Sequence, residues 1–188
     1  MVGREPVAAK RADAERNRAK ILAVAQEAFG ELGAEPSMAE IARRAGVGMA
    51  TLYRNFPGRL DLLSALYSNH VDEICAAATE IEGETPGEVF FAWLERFHKA
   101  GAHKGPLASL LLADSGGGIS VVNENRSRVI AAGEPLFAAA QRSGEVRDDL
   151  PLKQVLDAVV AVGQIADDPA FPGKIVRVVF DGLRRCPA

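Results

Sequence analysis

The residues best suited to chemistry stand close together, in the run Ser37-Met-Ala-Glu-Ile-Ala-Arg-Arg-Ala-Gly-Val-Gly-Met-Ala-Thr-Leu-Tyr-Arg-Asn-Phe-Pro-Gly-Arg59. Thr51, Tyr53, Arg54 and Asn55 bring a hydroxyl, a phenol, a guanidinium and an amide within five positions. Such groups hydrogen-bond base edges and phosphates. They do not form a nucleophile and base. No Ser-His-Asp or Cys-His arrangement declares itself elsewhere, so catalysis is not expected.

Two short helices must position these groups. Ser37-Met38-Ala39-Glu40 has the form of a capping box and opens a helix whose apolar face is Met38, Ile41, Ala42 and Ala45. Gly46 stops it by supplying a positive φ. A second piece runs from Met49 to about Phe56, with Leu52 and Phe56 inward, and Pro57-Gly58 ends it. Ahead of both, Ile21, Leu22, Ala25, Ala28, Phe29 and Leu32 mark one helical face, with Gly33 as its C-cap. Ala42 is small where the two short helices approach, and Ile41, Val47 and Leu52 are the apolar pegs against the first helix. Met49, Ala50, Thr51, Tyr53, Arg54 and Asn55 are left largely on the other side, a face that fits a DNA major groove. A hairpin of helices inside a bundle has the same outline, so the pattern alone leaves both readings open.

Charge is distributed unevenly. The 188 residues carry a formal net charge of −3, yet residues 1–60 sum to about +3 and residues 61–188 to −6. Lys10, Arg11, Arg16, Arg18 and Lys20 form one basic group, and Arg43, Arg44, Arg54 and Arg59 another. A basic end on an acidic body suits a polyanion-binding head. A solvated charged surface explains the same numbers.

The chain from about residue 12 to 66 closely resembles the tetracycline-repressor (TetR) family of bacterial regulators. The likeness rests on Arg18-x-x-Ile-Leu, Ala25-x-x-Ala-Phe, Ile41-Ala-x-x-Ala-Gly-Val, Thr51-Leu-Tyr-x-x-Phe-Pro-x-Arg and the Leu62-Leu63 that follows. It implies that the Tyr53 hydroxyl and Arg59, usually Lys in the family, touch DNA phosphates. It places Thr51 in the reading helix, against a phosphate or a thymine methyl. It points the amino ends of the second and third helices, the first capped by Ser37, at phosphates. Departures matter as well. Gly48 stands at an N-cap that is often Ser, Met49 replaces a frequently polar residue, and Asn55 stands where an aromatic or His is common. Arg54 fits a bidentate contact to guanine or a phosphate contact equally well.

The remaining elements are expected to be helical. The expected order is a flexible arm over 1–11, the helix-turn-helix over 12–58, and a helical effector-binding and dimerisation region over 59–188. Within the last, a long helix runs from about Arg59 to Ile81, a break covers Gly83–Gly87, and a fifth helix carries Val89, Phe90, Trp93, Leu94 and Phe97. A separate short helix is expected from Leu107 to Ala113, then a flexible loop at Ser115–Gly118. A helix follows over Asn123–Ser143, broken or kinked at Pro135. Two last helices lie near Leu152–Ala166 and Pro172–Arg185, although Val176, Val178, Val179 and Phe180 have strand propensity.

The fold class is thus all-α, and the family likeness gives the body two tasks. The last two helices, rich in small and β-branched residues, are expected to form a homodimer. Tyr67, Phe90, Trp93, Phe97, Leu110 and Leu111 are the candidates to hold an apolar or amphipathic effector, with His98, Asp114 or Asn69 to orient it. Aromatics at helical spacing also make a plain core. The expected function is a sequence-specific DNA-binding regulator, a repressor released from a palindromic operator by a small molecule. A DNA-binding protein without an effector, or a helical protein whose hairpin is structural, are the alternatives.

Other classes find little support. No run of about 18 apolar residues suggests a membrane span, and the first residues lack the apolar region of a secretory signal. Cys75 and Cys186 are too few and too far apart for a disulfide framework, which fits a cytoplasmic protein. His98 and His103 face apart on a helix, so no metal is expected, and no cofactor.

Overall fold

A computed structural model of the chain describes residues 5–31, 35–113, 117–163 and 171–185. Among these residues the architecture is eight helices with no strand: α1 Glu5–Gly30, α2 Met38–Ala45, α3 Met49–Asn55, α4 Arg59–Glu80, α5 Pro86–Ala113, α6 Gly118–Arg142, α7 Leu152–Gly163 and α8 Phe171–Leu183. Helices α1 to α3 form a head. Helices α4, α5 and α6 pack on one another and, with α7 and α8, form the body.

The head follows its sequence signals closely. Ile21 and Ala25 of α1 are fully buried in one cluster with Ile41, Ala42 and Ala45 of α2 and Leu52 of α3, and Ala28 is fully buried as well. Gly46 ends α2 with φ 61°, a left-handed conformation that L side chains rarely adopt. Its N–H and that of Val47 close the turn onto Arg43 O and Ala42 O at 3.1 and 3.0 Å. The Gly58 N–H donates to Asp61 Oδ2 at 2.7 Å, and this carboxylate also lies at the favourable amino end of α4. Residues 5–11, expected to belong to a flexible arm, are helical as the start of α1. Gly33, the expected cap of α1, lies outside the described residues.

The body departs from expectation at three places. First, α5 is one helix of 28 residues instead of two. The local signal failed at the glycine-rich stretch near Gly101, but the apolar register does not break there. Trp93, Phe97, Ala100, Leu107 and Leu111 continue at intervals of three, four or seven, and Trp93, Phe97, Leu107 and Leu111 are all buried. Second, α6 begins at Gly118, inside the segment expected to be a loop. Third, α6 continues through Pro135 without ending. Proline removes one helical N–H, but Val129, Gly133, Phe137 and Ala140 bury one face on both sides of it, which outweighs that loss.

At the end of the chain the β-branched residues of α8 are helical, with Val176 and Leu183 buried. The only strand-like feature among the described residues is an isolated antiparallel bridge between Val146 and Arg184. Arg147 N donates to Leu183 O and Arg185 N to Glu145 O, each at 3.0 Å, which ties the end of α8 to the α6–α7 connection. Glu145 also accepts from Thr85 Oγ1 at 2.5 Å, Ser143 Oγ at 2.7 Å and Gly87 N at 3.1 Å, and so caps the start of α5. The hydroxyls of Thr85 and Ser143 hold its carboxyl below the usual carboxylate range.

Candidate nucleic-acid interface

Helix α3 has seven residues and two unlike faces. Leu52 is fully buried, and Phe56, which caps the helix, is 1% exposed. Tyr53 is 46% and Met49 39% exposed, the large apolar and aromatic side chains that the head leaves in water among the described residues. Ala50 and Arg54 are exposed beside them, and Thr51 is half-buried. Of the six residues that the sequence assigns to the groove, Met49, Ala50, Tyr53 and Arg54 are exposed and Thr51 and Asn55 are half-buried. This face is preorganised in part: Arg54 Nη2 donates to Thr51 Oγ1 at 2.9 Å, so the guanidinium lies along the helix surface. Asn55 is turned back, with its Nδ2 donating to Thr51 O at 2.8 Å. Gly48 caps α3 with no side chain to contribute, as the sequence implies.

At the start of α2 the Ser37 hydroxyl accepts from Glu40 N at 3.2 Å, one half of the capping box. The Glu40 carboxylate is directed elsewhere. It accepts from Arg43 Nη2 and Arg44 Nε, each at 2.7 Å, while Arg44 Nη1 also pairs with Glu31 of α1. The guanidinium of Arg43, and then that of Arg44, hold the Glu40 carboxyl down to about 2. Glu40 and Glu31 thus engage two cations that the charge distribution assigns to a polyanion footprint.

Arg59, expected to touch a phosphate, is held within the head. Its Nη1 donates to Pro36 O at 2.8 Å, its Nη2 lies 3.7 Å from Glu35, and its guanidinium carbon stands 5.4 Å from the Phe29 ring centre. The charge is thereby placed next to Ser37 and the amino end of α2. A second arginine was not singled out for the site. Arg18 of α1 donates through Nη1 to Asn55 O at 3.1 Å and lies 4.4 Å from the Phe56 ring centre. Its place in a basic cluster and at the head of Arg18-x-x-Ile-Leu marked it, but neither signal names partners that are 37 and 38 residues away.

Comparison with known proteins agrees with this geometry. The profile of the bacterial regulatory proteins of the tetR family matches residues 21–66, and that of the SbtR-like transcriptional regulator C-terminal domain matches residues 85–185, more than half of the chain. The chain belongs to the TetR family. Its TetR-family fold is shared with a TetR transcriptional regulator from Streptomyces coelicolor, which is 32% identical with a TM-score of 0.71 over 90% of this chain and 99% of that one. A TetR transcription regulatory protein from Mycobacterium vanbaalenii is 35% identical with a TM-score of 0.70 over 93% and 98%. An HTH-type transcriptional regulator from Staphylococcus aureus is 41% identical over 63 residues, and this match spans 33% of this chain and 34% of that relative, about a third of each. The protein is accordingly a DNA-binding transcriptional regulator of the TetR family, whose members are transcription factors and not enzymes.

In this TetR-family body the six expected effector residues lie in or against the core. Phe90, Trp93 and Leu111 are fully buried, Tyr67 and Phe97 are 8% exposed, and Leu110 packs beside them half-buried. Phe90 lies 5.1 Å from Phe137 and Trp93 6.2 Å from Phe97, ring centre to ring centre. The indole N–H donates to Ile74 O at 3.1 Å. On its other side the indole fills the space where Gly133 would carry a Cβ. Burial raises the Tyr67 hydroxyl above its usual range. Of the residues expected to orient a ligand, Asn69 is exposed, His98 is half-buried, and Asp114 lies outside the described residues. Two surface concavities are lined by other side chains. One, of about 340 Å³, lies between the α4–α5 connection and Leu136 and Ala139. The other, of about 620 Å³, runs between Gln26 of α1, His70 and Glu73 of α4, and Glu95, Arg96 and Lys99 of α5.

Proposed function

We propose that this TetR-family protein is a homodimeric repressor that reads a near-palindromic operator through α3 and acts in the cytoplasm. The observation that carries the proposal is the two-faced α3, with Leu52 and Phe56 in the core and Met49, Ala50, Tyr53 and Arg54 outside. Ser37, the Tyr53 hydroxyl and Arg59 hold phosphates on either side of the groove, and Arg54 and Met49 supply base contacts. One two-turn helix specifies too few bases alone, so isologous pairing doubles the site. The pairing surface is α7 with α8, where Val160 is 44% and Val178 69% exposed, with Ala158, Ala161 and Gly182 beside them. A selection of bound sequences from random DNA, followed by light scattering with and without the selected duplex, tests this. A palindrome bound by a dimer is expected, and an asymmetric short site bound by a monomer refutes it.

Release by an effector rests on α4. Its first residue, Arg59, touches Pro36 just ahead of α2, and Ile74, further along, accepts the Trp93 indole. An effector that shifts α4 at Trp93 therefore shifts α2, and it weakens operator binding by its differential affinity for the two positions. The site is the set Tyr67, Phe90, Trp93, Phe97, Leu110 and Leu111. A second reading, regulation without a small molecule, is favoured by the close packing of Trp93 against Gly133. Trp93 is the only tryptophan, so a screen of small molecules by its emission decides between them. A compound that changes the emission and releases the duplex supports the first.

A further inference from the structure

We propose that Arg18 is a positioning residue for DNA reading: it fixes the carboxyl end of α3, and thereby the angle of the reading face, without itself holding a phosphate. Helix α3 has seven residues, too short to set its own direction in water. Its amino end is set by backbone, through the left-handed Gly46 and the Val47 N–H on Ala42 O at 3.0 Å. Leu52, fully buried near the middle, is a pivot and not a clamp. The far end is where the angle is decided, and there the backbone carbonyls lack helical partners. Arg18 Nη1 takes one of them, Asn55 O, at 3.1 Å.

The same guanidinium stands 4.4 Å from the centre of the Phe56 ring, and Phe56 is 1% exposed. Arg18 thus ties the free end of α3 to a ring that the core holds still, and it reaches both partners from α1, the helix that α2 and α3 pack on. The chemistry suits arginine in particular. A planar cation can cover a ring with its face and donate to a carbonyl with its edge, and a positive charge at a helix carboxyl end is favoured by the helix dipole. Lysine offers the charge without the plane. A fixed angle matters for base edges, whose hydrogen bonds are directional, and much less for the non-directional attraction to phosphates. The brace therefore governs discrimination more than gross attraction.

The test uses the full chain and two duplexes of equal length: one selected from random DNA by the unsubstituted protein, and one of random sequence. Arg18→Ala and Arg18→Lys are each expected to bind the selected duplex about tenfold more weakly, the scale of one charge-assisted hydrogen bond. Affinity for random duplex should change less than about twofold, and the slope of log affinity against log salt should be unaltered, because no phosphate contact is lost. Phe56→Leu keeps the burial and removes the ring, so it should show the same selective loss in weaker form. Combined with Arg18→Ala it should lose less than the two effects multiplied. Parallel losses on both duplexes, a salt slope smaller by about one and restoration by Arg18→Lys would make Arg18 a phosphate contact and overturn the proposal. Unchanged discrimination in Arg18→Lys would also overturn it. If Arg18→Ala melts below the assay temperature, Arg18→Lys and Phe56→Leu carry the test, and a loss that merely tracks their folded fraction counts against it.

Discussion

The head and the body are both helical, and one continuous apolar cluster runs through them from Ile21 to Leu183. They differ in where their chemistry lies. In the head the core is mostly small and aliphatic residues around Phe56, and Tyr53, Arg54 and Met49 of α3 are exposed. In the body the aromatics point inward: Phe90, Trp93 and Phe137 are all at most 2% exposed, and their rings touch. A surface site can be functional with a tightly packed interior beneath it. An interior site must keep some slack, or open. A buried interior is therefore compatible with function in the head, while the close packing of Trp93 on Gly133 opposes ligand entry in the body.

The largest expected effect tests whether the body has any slack. Gly133→Val places carbons where the Trp93 indole lies, and overpacking of this kind costs about 3 kcal/mol. The indole cannot retreat without giving up Ile74 O. Urea unfolding at fixed protein concentration should show the loss as a lower midpoint with unchanged slope. A Gly133→Val protein as stable as its parent would show that the cluster can open, and would strengthen the case for an effector site there.

The next effect belongs to the head and should leave stability alone. Arg54→Ala should cost about 1–3 kcal/mol of operator affinity if the arginine reads a base, and relax the preference at one position. Its present partner, Thr51 Oγ1, is on the helix surface and is released at little cost. Tyr53→Phe should cost less, about 1 kcal/mol, and equally on every sequence. Titrations against a panel of single-base operator variants separate the two. An equal loss across the panel for Arg54→Ala would place that arginine on a phosphate, and the reading face would reduce to Met49 and Ala50.

These contrasts also explain what could be read from the chain in advance. The head is written in short-range signals. Gly46, Ser37 and the Ile41, Val47 and Leu52 pegs act within one or two turns, so their spacing marked α2 and α3 as Ile21 to Leu32 marked α1. The body depends on contacts far apart in sequence. The glycines near Gly101 and Pro135 itself signal breaks, and burial of Leu107, Leu111 and Phe137 in the core overrides them. The arginines make the same point on the surface. Arg18 and Arg59 stood in the sequence as members of two basic groups, and each is bound to a backbone carbonyl more than 20 residues away. A family likeness could assign Arg59 a phosphate but could not show that Pro36 O holds it in place.

A smaller effect concerns the cap that starts α2. Ser37→Ala removes the hydroxyl that accepts from Glu40 N and should cost about 1 kcal/mol of stability. If Ser37 also holds a phosphate, operator affinity should fall beyond what stability explains. Comparing the melting shift with the change in affinity well below the melting temperature shows whether this end of α2 serves the fold, the DNA, or both.

The smallest expected effect lies in the charge network that follows this cap, and it has a pH signature. Arg43 and Arg44 depress the Glu40 carboxyl from its ordinary value of 4.5 to about 2. A carboxyl whose folded value is depressed binds fewer protons when folded than when unfolded, so its contribution is complete above pH 4.5 and is lost as pH falls towards 2. The network is on the surface and open to salt, so the contribution is expected to be below that of the cap. Glu40→Gln should accordingly be slightly less stable than the parent at neutral pH, and the two should converge as the solution is acidified through this window. High salt should shrink the neutral-pH gap. The same substitution leaves Arg43 and Arg44 less committed, Arg44 retaining Glu31. If these arginines then reach phosphates, Glu40→Gln should bind random duplex more tightly and with a steeper salt dependence, while its discrimination in favour of the operator falls. A Glu40→Gln protein whose pH profile runs parallel to that of the parent throughout would mean that the ion pairs do not hold in solution. It would also return Arg43 and Arg44 to the basic surface that the charge distribution first suggested.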